Sequence, residues 1–299
     1  EIVHILQQLG VIAEIKSDGI SIVSQGWKNK KMSLEVSLEN SSQFISALLL
    51  SSICLPFDLE IHLTGKSRSE DYLIYTMSLL RKVGIEIEYS NQRIFINKNQ
   101  KLLAQTLKGE LDVSSAFSLI SAGVLSGNVQ IQNWSAQSLQ PDMAFLNCFD
   151  QMKIQYTVNQ KGLFVSQQDS YQSLDFNLQN CPDLFPVLSV VCAFASGVSR
   201  LYGAPQLRYK ESNRILKTYE LLKRCEFEVK ELPDGIEIVG NPNKVYLKRD
   251  FILFDPAHDH RMAMAATLLK LKGFPIKIEH PEVVNKSFPH FYQFVGIQT

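Results

Sequence analysis

The chain has 299 residues, 45% hydrophobic and 20% charged, the balance of a soluble globular protein with room for two domains. Thirty basic residues against thirty acidic ones leave no net charge, which excludes a broad nucleic-acid footprint and leaves a local anion site open. The apolar stretches break off before the length that spans a bilayer, and no secretory leader is recognisable. Five scattered cysteines (Cys54, Cys148, Cys181, Cys192 and Cys225) carry neither a disulfide framework nor a zinc spacing, so a reducing cytoplasm is the expected setting.

From the N-terminus, a helix that runs into a turn and two short strands is predicted at 6–23 (LQQLGVIAEIKSDGISIV). The pattern returns at 79–96 (LLRKVGIEIEYSNQRIFI), 148–165 (CFDQMKIQYTVNQKGLFV) and 221–238 (LLKRCEFEVKELPDGIEI). Gly10, Gly84, Lys153 and Glu226 align, at intervals of about 70 residues. Within each copy the hydrophobic period switches from helical to alternating, as in Ile85-Glu86-Ile87-Glu88.

The stretches before these hairpins also recur. A polar start leads into a helix rich in small apolar residues and then into a strand. Ser41-Ser42-Gln43, Asp112 to Ser115, Pro182-Asp183 and Asp259-His260-Arg261 are the four starts. Each unit reads β-α-β-α-β-β, an α/β class, and helices apolar on nearly every face are predicted to be buried. The chain opens in the tail of such a unit, which predicts an N-terminally truncated form of something longer. A short helix is expected from Pro289 to Val295 at the other end.

Charge concentrates where these helices begin. Arg208-Tyr209-Lys210-Glu211-Ser212-Asn213-Arg214 packs three cations and one carboxylate into seven residues, with Asp259-His260-Arg261 and Asn285-Lys286-Ser287 as companions. A helix N-terminus already carries partial positive charge, so cations gathered there suggest a site for a multiply charged anion. Arg214, Arg261, Lys210 and Lys286 are the candidate anion holders, since arginine captures carboxylate or phosphate bidentately and lysine acts as a movable charge. Glu211, between Lys210 and Arg214, is a candidate general acid or base; the plainer alternative is a surface i,i+3 pair with Arg214. Asp183 and Asp259 are candidate functional carboxylates or helix caps, and His260 a proton carrier or an orienting group. Ser41, Ser42, Gln43, Ser69 and Tyr72 offer neutral donors for a phosphate or polyol, with capping as the serines' alternative role. Cys181 is expected to be a packing residue, because nothing nearby supplies a base.

Five of these segments, SSQFISALLL, CPD, LRYKESNR, DHRMAMA and NKSFPHF, taken in order, resemble the signatures of the 5-enolpyruvylshikimate-3-phosphate (EPSP) synthase family. The resemblance runs over essentially the whole chain. It implies two domains, each an inside-out α/β barrel of repeated β-α-β-α-β-β units, with residues 1–109 in the shikimate-3-phosphate-binding domain (N-terminally incomplete) and 110–299 in the domain carrying the phosphoenolpyruvate-binding residues. It implies transfer of the enolpyruvyl group of phosphoenolpyruvate to the 5-hydroxyl of shikimate 3-phosphate, with phosphate released, by a monomer needing no metal or organic cofactor and touching neither nucleic acid nor membrane. Shikimate 3-phosphate would be held by Ser41, Ser42, Gln43, Ser69 and Tyr72 and by Asp183, Gln206 and Lys210. Phosphoenolpyruvate would be held by Gln43, Arg214, Arg261 and Lys286, with Asp183, Glu211 and Lys286 moving protons and Asp259 and His260 in support. Asn213, Pro141, His290 and Gln206 depart from residues common in the family, and its N-terminal Lys-Ser motif, Asn-Ala-Gly-Thr loop and upstream arginine find no match. A UDP-N-acetylglucosamine enolpyruvyl transferase, or a non-catalytic anion-binding remnant, are the alternatives.

Overall fold

The four positions at which the sequence pattern repeats share one backbone geometry. Gly10, Gly84, Lys153 and Glu226 have φ of 75°, 88°, 60° and 61° in a computed structural model that describes residues 1–26, 32–39, 41–65, 70–103, 106–247 and 250–297. A left-handed residue ends each helix and turns the chain into its hairpin, a conformation free for glycine and strained for Lys153 and Glu226. Two compact units follow, Glu1–Lys108 and Gly109–Thr299.

The first unit begins with α1 (Ile2–Gln8) and the hairpin β1 (Ile12–Lys16) and β2 (Gly19–Val23). One complete repeat comes next: β3 (Met32–Ser37), α2 (Gln43–Ser51), β4 (Leu59–Thr64), α3 (Glu70–Lys82), β5 (Glu88–Ser90) and β6 (Arg93–Ile96). Its sheet has the order β3-β4-β6-β5, with β3 and β4 parallel and the remaining pairs antiparallel. Leu73, Met77 and Leu80 recur at helical spacing on α3 and share a core with Ile45 and Leu49 of α2 and with Ile61, Leu63, Ile94 and Ile96 of the sheet.

The second unit starts with α4 (Val113–Ser126), β7 (Asn128–Ile131), α5 (Phe145–Met152), β8 (Tyr156–Asn159) and β9 (Gly162–Ser166). Residues 106–112 form no strand, so among the described residues this repeat shows no leading strand and its sheet is β7-β9-β8. A complete repeat follows: β10 (Asp175–Asn177), α6 (Phe185–Ala193), β11 (Gly197–Tyr202), α7 (Arg214–Arg224), β12 (Glu228–Leu232) and β13 (Gly235–Gly240), ordered β10-β11-β13-β12. The last repeat is reduced to β14 (Ile252–Phe254), α8 (His260–Leu271) and β15 (Ile276–Ile278), a parallel strand pair joined through a helix. A 3-10 turn, Pro281–Lys286, and α9 (Phe291–Phe294) close the chain. The terminal helix is shorter than the expected Pro289–Val295, because Pro289 and His290 lie in the turn that leads into it.

Helices α4, α6 and α8 pack against one another in the core of this unit. Every residue of α6 is buried, and Ala263, Ala265 and Ala266 of α8 keep side chains short where the helices meet. Each buried Leu, Val or Phe on these helices contributes about 1.5–3 kcal/mol. That apolar mass holds a polar cluster at one end of the bundle.

Candidate active site

Three of the buried helices begin beside each other, and charged groups stand at their starts. Asp112 caps α4 and accepts the Ser114 N–H, Asp259 caps α8 and accepts the Arg261 N–H at 3.0 Å, and Asp183 lies in the 3-10 turn Pro182–Leu184 ahead of α6. Arg214 is the first residue of α7, behind an Asn213 cap that accepts the Leu216 N–H. Convergence of helix N-termini makes a region of positive potential that suits an anion.

Arg214 is the centre of the cluster. Its side chain is 2% exposed and donates to three carboxylates: Nε to Asp259 Oδ2, Nη1 to Asp183 Oδ1 and Nη2 to Glu211 Oε2, each at 2.8 Å. Asp183 turns its second oxygen to Arg261 Nη2 at 2.9 Å, and Glu211 turns its own to Lys286 Nζ at 3.1 Å. Asp259, wholly buried, also accepts the Ser212 hydroxyl at 3.1 Å. Arg261 Nη2 reaches Ser114 Oγ at 3.0 Å as well. Lys210 acts on Asp183 through its charge.

These pairs set the protonation states. Burial would raise the Asp183 carboxyl, but Arg261, Arg214 and Lys210 together hold it well below the usual carboxylate range. Burial works the same way on Glu211, and Arg214, a backbone N–H and Lys286 outweigh it, lowering the carboxyl to about 2. The Arg214 guanidinium is disfavoured by its own burial, yet Asp183, Asp259 and Glu211 push its affinity for the proton above the ordinary value. His260 moves down, first through burial and then through the Arg261 charge; its Nδ1 is buried with no hydrogen-bond partner among the described residues. Glu211 is therefore a carboxylate in this arrangement rather than a poised acid, and its pair with Arg214 is not a surface pair.

The structure brings together Asp183, Glu211, Arg214, Asp259, His260, Arg261 and Lys286, and leaves other expectations elsewhere. Lys286 is not at a helix start; it ends the Pro281–Lys286 3-10 turn. Arg208 is turned away, binding Glu231 Oε1 at 2.7 Å and the carbonyls of Leu232 and Pro233, so it staples its loop to the β12–β13 hairpin. Gln206 is buried, donates to the Gln179 carbonyl at 3.3 Å, and its Oε1 has no hydrogen-bond partner among the described residues. In the first unit, Ser41 Oγ accepts the Gln43 N–H at 3.1 Å, as a cap does, while Ser42 is buried at the N-cap position of α2 and makes no side-chain cap bond. Gln43 opens α2, and Tyr72 sits in the first turn of α3, beside which α2 runs, joined by a Ser46–Thr76 hydroxyl pair at 2.9 Å. Ser69 lies outside the described residues. Cys181 is buried in the core of its unit. Sequence reasoning missed Ser212 and Ser114 as partners of the cluster, although Ser114 stands two residues after its helix cap just as Arg261 does.

The family model for EPSP synthase (3-phosphoshikimate 1-carboxyvinyltransferase) matches residues 1–294. The chain belongs to the EPSP synthase family. A 3-phosphoshikimate 1-carboxyvinyltransferase of Methanocaldococcus jannaschii is 34% identical over 294 residues, covering 96% of this chain and 66% of its own length. One from Methanosphaera stadtmanae is 30% identical, covering 98% and 69%, and one from Clostridium acetobutylicum is 36% identical, covering 84% and 58%. The chain thus spans about three fifths to two thirds of the relatives it matches. Among solved structures, the EPSP synthase of Acinetobacter baumannii superposes with a TM-score of 0.70 at 21% identity, over 99% of this chain and 69% of that one. The enolpyruvyl transferase NikO of Streptomyces tendae gives 0.71 at 13% identity, over 99% and 70%. The mixed α/β units are those of the enolpyruvyl transferase fold. EPSP synthases act in aromatic amino acid biosynthesis, and no helix among the described residues is long and apolar enough to cross a membrane.

Proposed function

We propose that this chain supplies the phosphoenolpyruvate-binding cluster, and part of the shikimate-3-phosphate site, for transfer of an enolpyruvyl group to the 5-hydroxyl of shikimate 3-phosphate. The observation that carries the reading is the shared pairing of Arg214 and Arg261, at converging helix starts, and of Lys286, at the end of a 3-10 turn, through Asp183 and Glu211. Arg214, Arg261 and Lys286 hold the phosphate and carboxylate of phosphoenolpyruvate. By the family resemblance Lys210, Gln206 and Asp183 are shikimate-3-phosphate ligands of the second unit, Ser41, Ser42, Gln43, Ser69 and Tyr72 are those of the first, and Gln43 is also a phosphoenolpyruvate ligand.

The 5-hydroxyl oxygen attacks the enol carbon of phosphoenolpyruvate while Asp183 takes the hydroxyl proton. The methylene carbon gains a proton, for which Glu211 and Lys286 are the candidate donors. The resulting tetrahedral adduct expels phosphate as the methyl group returns a proton, leaving the enolpyruvyl ether. Two anions are brought together against their repulsion, which is what the cations accomplish. Glu211 becomes an acid when phosphoenolpyruvate draws Arg214 and Lys286 away, since a half-buried carboxylate without its cations is protonated more readily.

The test is phosphate release from phosphoenolpyruvate, measured on this chain alone and supplemented with the part of the Methanocaldococcus jannaschii relative that it does not match. Release that depends on shikimate 3-phosphate is expected. Release with UDP-N-acetylglucosamine instead would refute the substrate assignment, and release with neither would favour an anion-binding remnant.

A further inference from the structure

Arg261 differs from the other cations of the cluster in what aims it. Arg214 is fixed by three carboxylates, and Lys286 by Glu211. Arg261 Nη2 divides itself between Asp183 Oδ2 at 2.9 Å and Ser114 Oγ at 3.0 Å, Nη1 approaches the Asp183 carbonyl at 3.5 Å, and Nε is buried with no partner among the described residues. A guanidinium held by Asp183 alone would depend on the charge of that one carboxylate.

Ser114 removes that dependence. It lies in the first turn of α4, 4% exposed, and its hydroxyl has a single proton. That proton goes to Asp112 Oδ1 at 2.9 Å, so the oxygen presents lone pairs to Arg261 and can only accept. Asp112 is itself fixed, since its Oδ1 takes the Ser114 N–H at 3.1 Å and its Oδ2 the Ser115 hydroxyl at 2.5 Å. The pair forms a strut from the start of α4 to the start of α8. A hydroxyl orients a cation without cancelling its charge, whereas a carboxylate in the same place would compete with an incoming anion.

We propose that Ser114, oriented by Asp112, is a positioning residue that keeps the Arg261 guanidinium aimed at phosphoenolpyruvate while Asp183 takes up a proton. This rests on the reading of Arg261 as a phosphoenolpyruvate ligand. A purely structural role as a cap is separable, because Ser114→Ala leaves Asp112 with the backbone N–H and the Ser115 hydroxyl.

The experiment is calorimetric binding of phosphoenolpyruvate to the wild-type chain, Ser114→Ala, Arg261→Ala and the double variant. Ser114→Ala is expected to weaken binding about tenfold, the effect of losing one hydrogen bond to a charged group. Arg261→Ala should weaken it further, and the double variant should bind no worse than Arg261→Ala, since Ser114 acts only through that side chain. If the alanine variant does not fold, Ser114→Cys, close in size and a poor acceptor, is expected to show the same loss. Binding by Ser114→Ala within twofold of wild type, or a further tenfold loss in the double variant, would overturn the proposal and leave the functional reading standing. No binding by the wild-type chain would overturn both.

Discussion

Replacing Arg214 with alanine tests whether the buried cluster is a fixed electrostatic unit. After the change Asp183 still has Arg261 and Glu211 still has Lys286. Asp259 is left worst, buried with the Ser212 hydroxyl and the Arg261 N–H as its remaining hydrogen-bond donors among the described residues. Stranding a buried carboxylate in this way costs about 3–5 kcal/mol, out of a typical total stability of about 5–15 kcal/mol. Urea unfolding at pH 7, followed by Trp134 fluorescence in a Trp27→Phe background, reads the second unit. The pH dependence adds a sharper criterion. In the wild type, Asp183 and Glu211 are depressed and lose stability as pH falls. The variant lacks the Arg214 charge that helps to depress both carboxyls, so the difference between the two proteins shrinks as pH falls from 7 towards 4. A loss below about 1 kcal/mol, or a loss that stays constant over that range, would show the arginine to be an ordinary solvated pair and refute the reasoning.

The same pairs govern ligand binding and acid stability. Phosphoenolpyruvate binding is expected to take up protons near neutral pH, because Glu211 loses Arg214 and Lys286 to the ligand; calorimetry in buffers of different ionisation enthalpy measures this, and uptake that persists in Glu211→Gln would rule that carboxylate out as its source. Glu211→Gln should also lower turnover at least a hundredfold with little change in affinity, the range for loss of an acid–base group; near-normal turnover would exclude it from the chemistry. For the wild type, the folded-state value of about 2 at Glu211 predicts stability that is full above the unfolded carboxyl value of about 4.3 and declines as pH falls towards 2, and an acid titration of unfolding midpoints showing no decline would contradict it. Glu226→Gly should raise stability by about 0.5–1 kcal/mol, since the left-handed turn at φ 61° then carries no side chain, and a destabilised variant would mean that the Glu226 side chain matters more than the strain.

The repeat was legible because it depends on backbone chemistry that sequence displays. The four aligned turn positions, two glycines and two not, all proved left-handed, and the switch from helical to alternating period marked the hairpins after them. The completeness of each unit was less legible. Asp112 to Ser115 looks like the other helix starts, but whether a strand pairs ahead of it depends on partners distant in sequence, and none forms at 106–112. At the site, residue types gave away the cations, yet the direction of each side chain is a tertiary outcome. Arg208 and Arg214 lie in one short loop; the first is taken by Glu231 and backbone carbonyls on β12–β13, and the second is buried among Glu211 of that loop and carboxylates from two other segments. Ser114 was invisible for the same reason, because its partner is 147 residues away.

An anion site built with as many neutralising groups as this one raises a question of economy. Arg214, Arg261, Lys210 and Lys286 face Asp183, Glu211 and Asp259, four cations against three carboxylates. Without the carboxylates the cations would repel one another at converging helix starts that already carry positive potential, and the helices could not bury their N-termini together. With them the cluster is stable when empty and nearly neutral. On the proposed function, a ligand carrying two or more negative charges displaces Glu211 and Asp183 from cations already in place, and each displaced carboxylate becomes more basic where a proton has to move. Asp259 cannot be displaced in this way, being wholly buried and held by the Ser212 hydroxyl and an α8 N–H. On that proposal the permanent counter-ion and the exchangeable ones are different residues, and one set of charges both stabilises the fold and responds to a substrate.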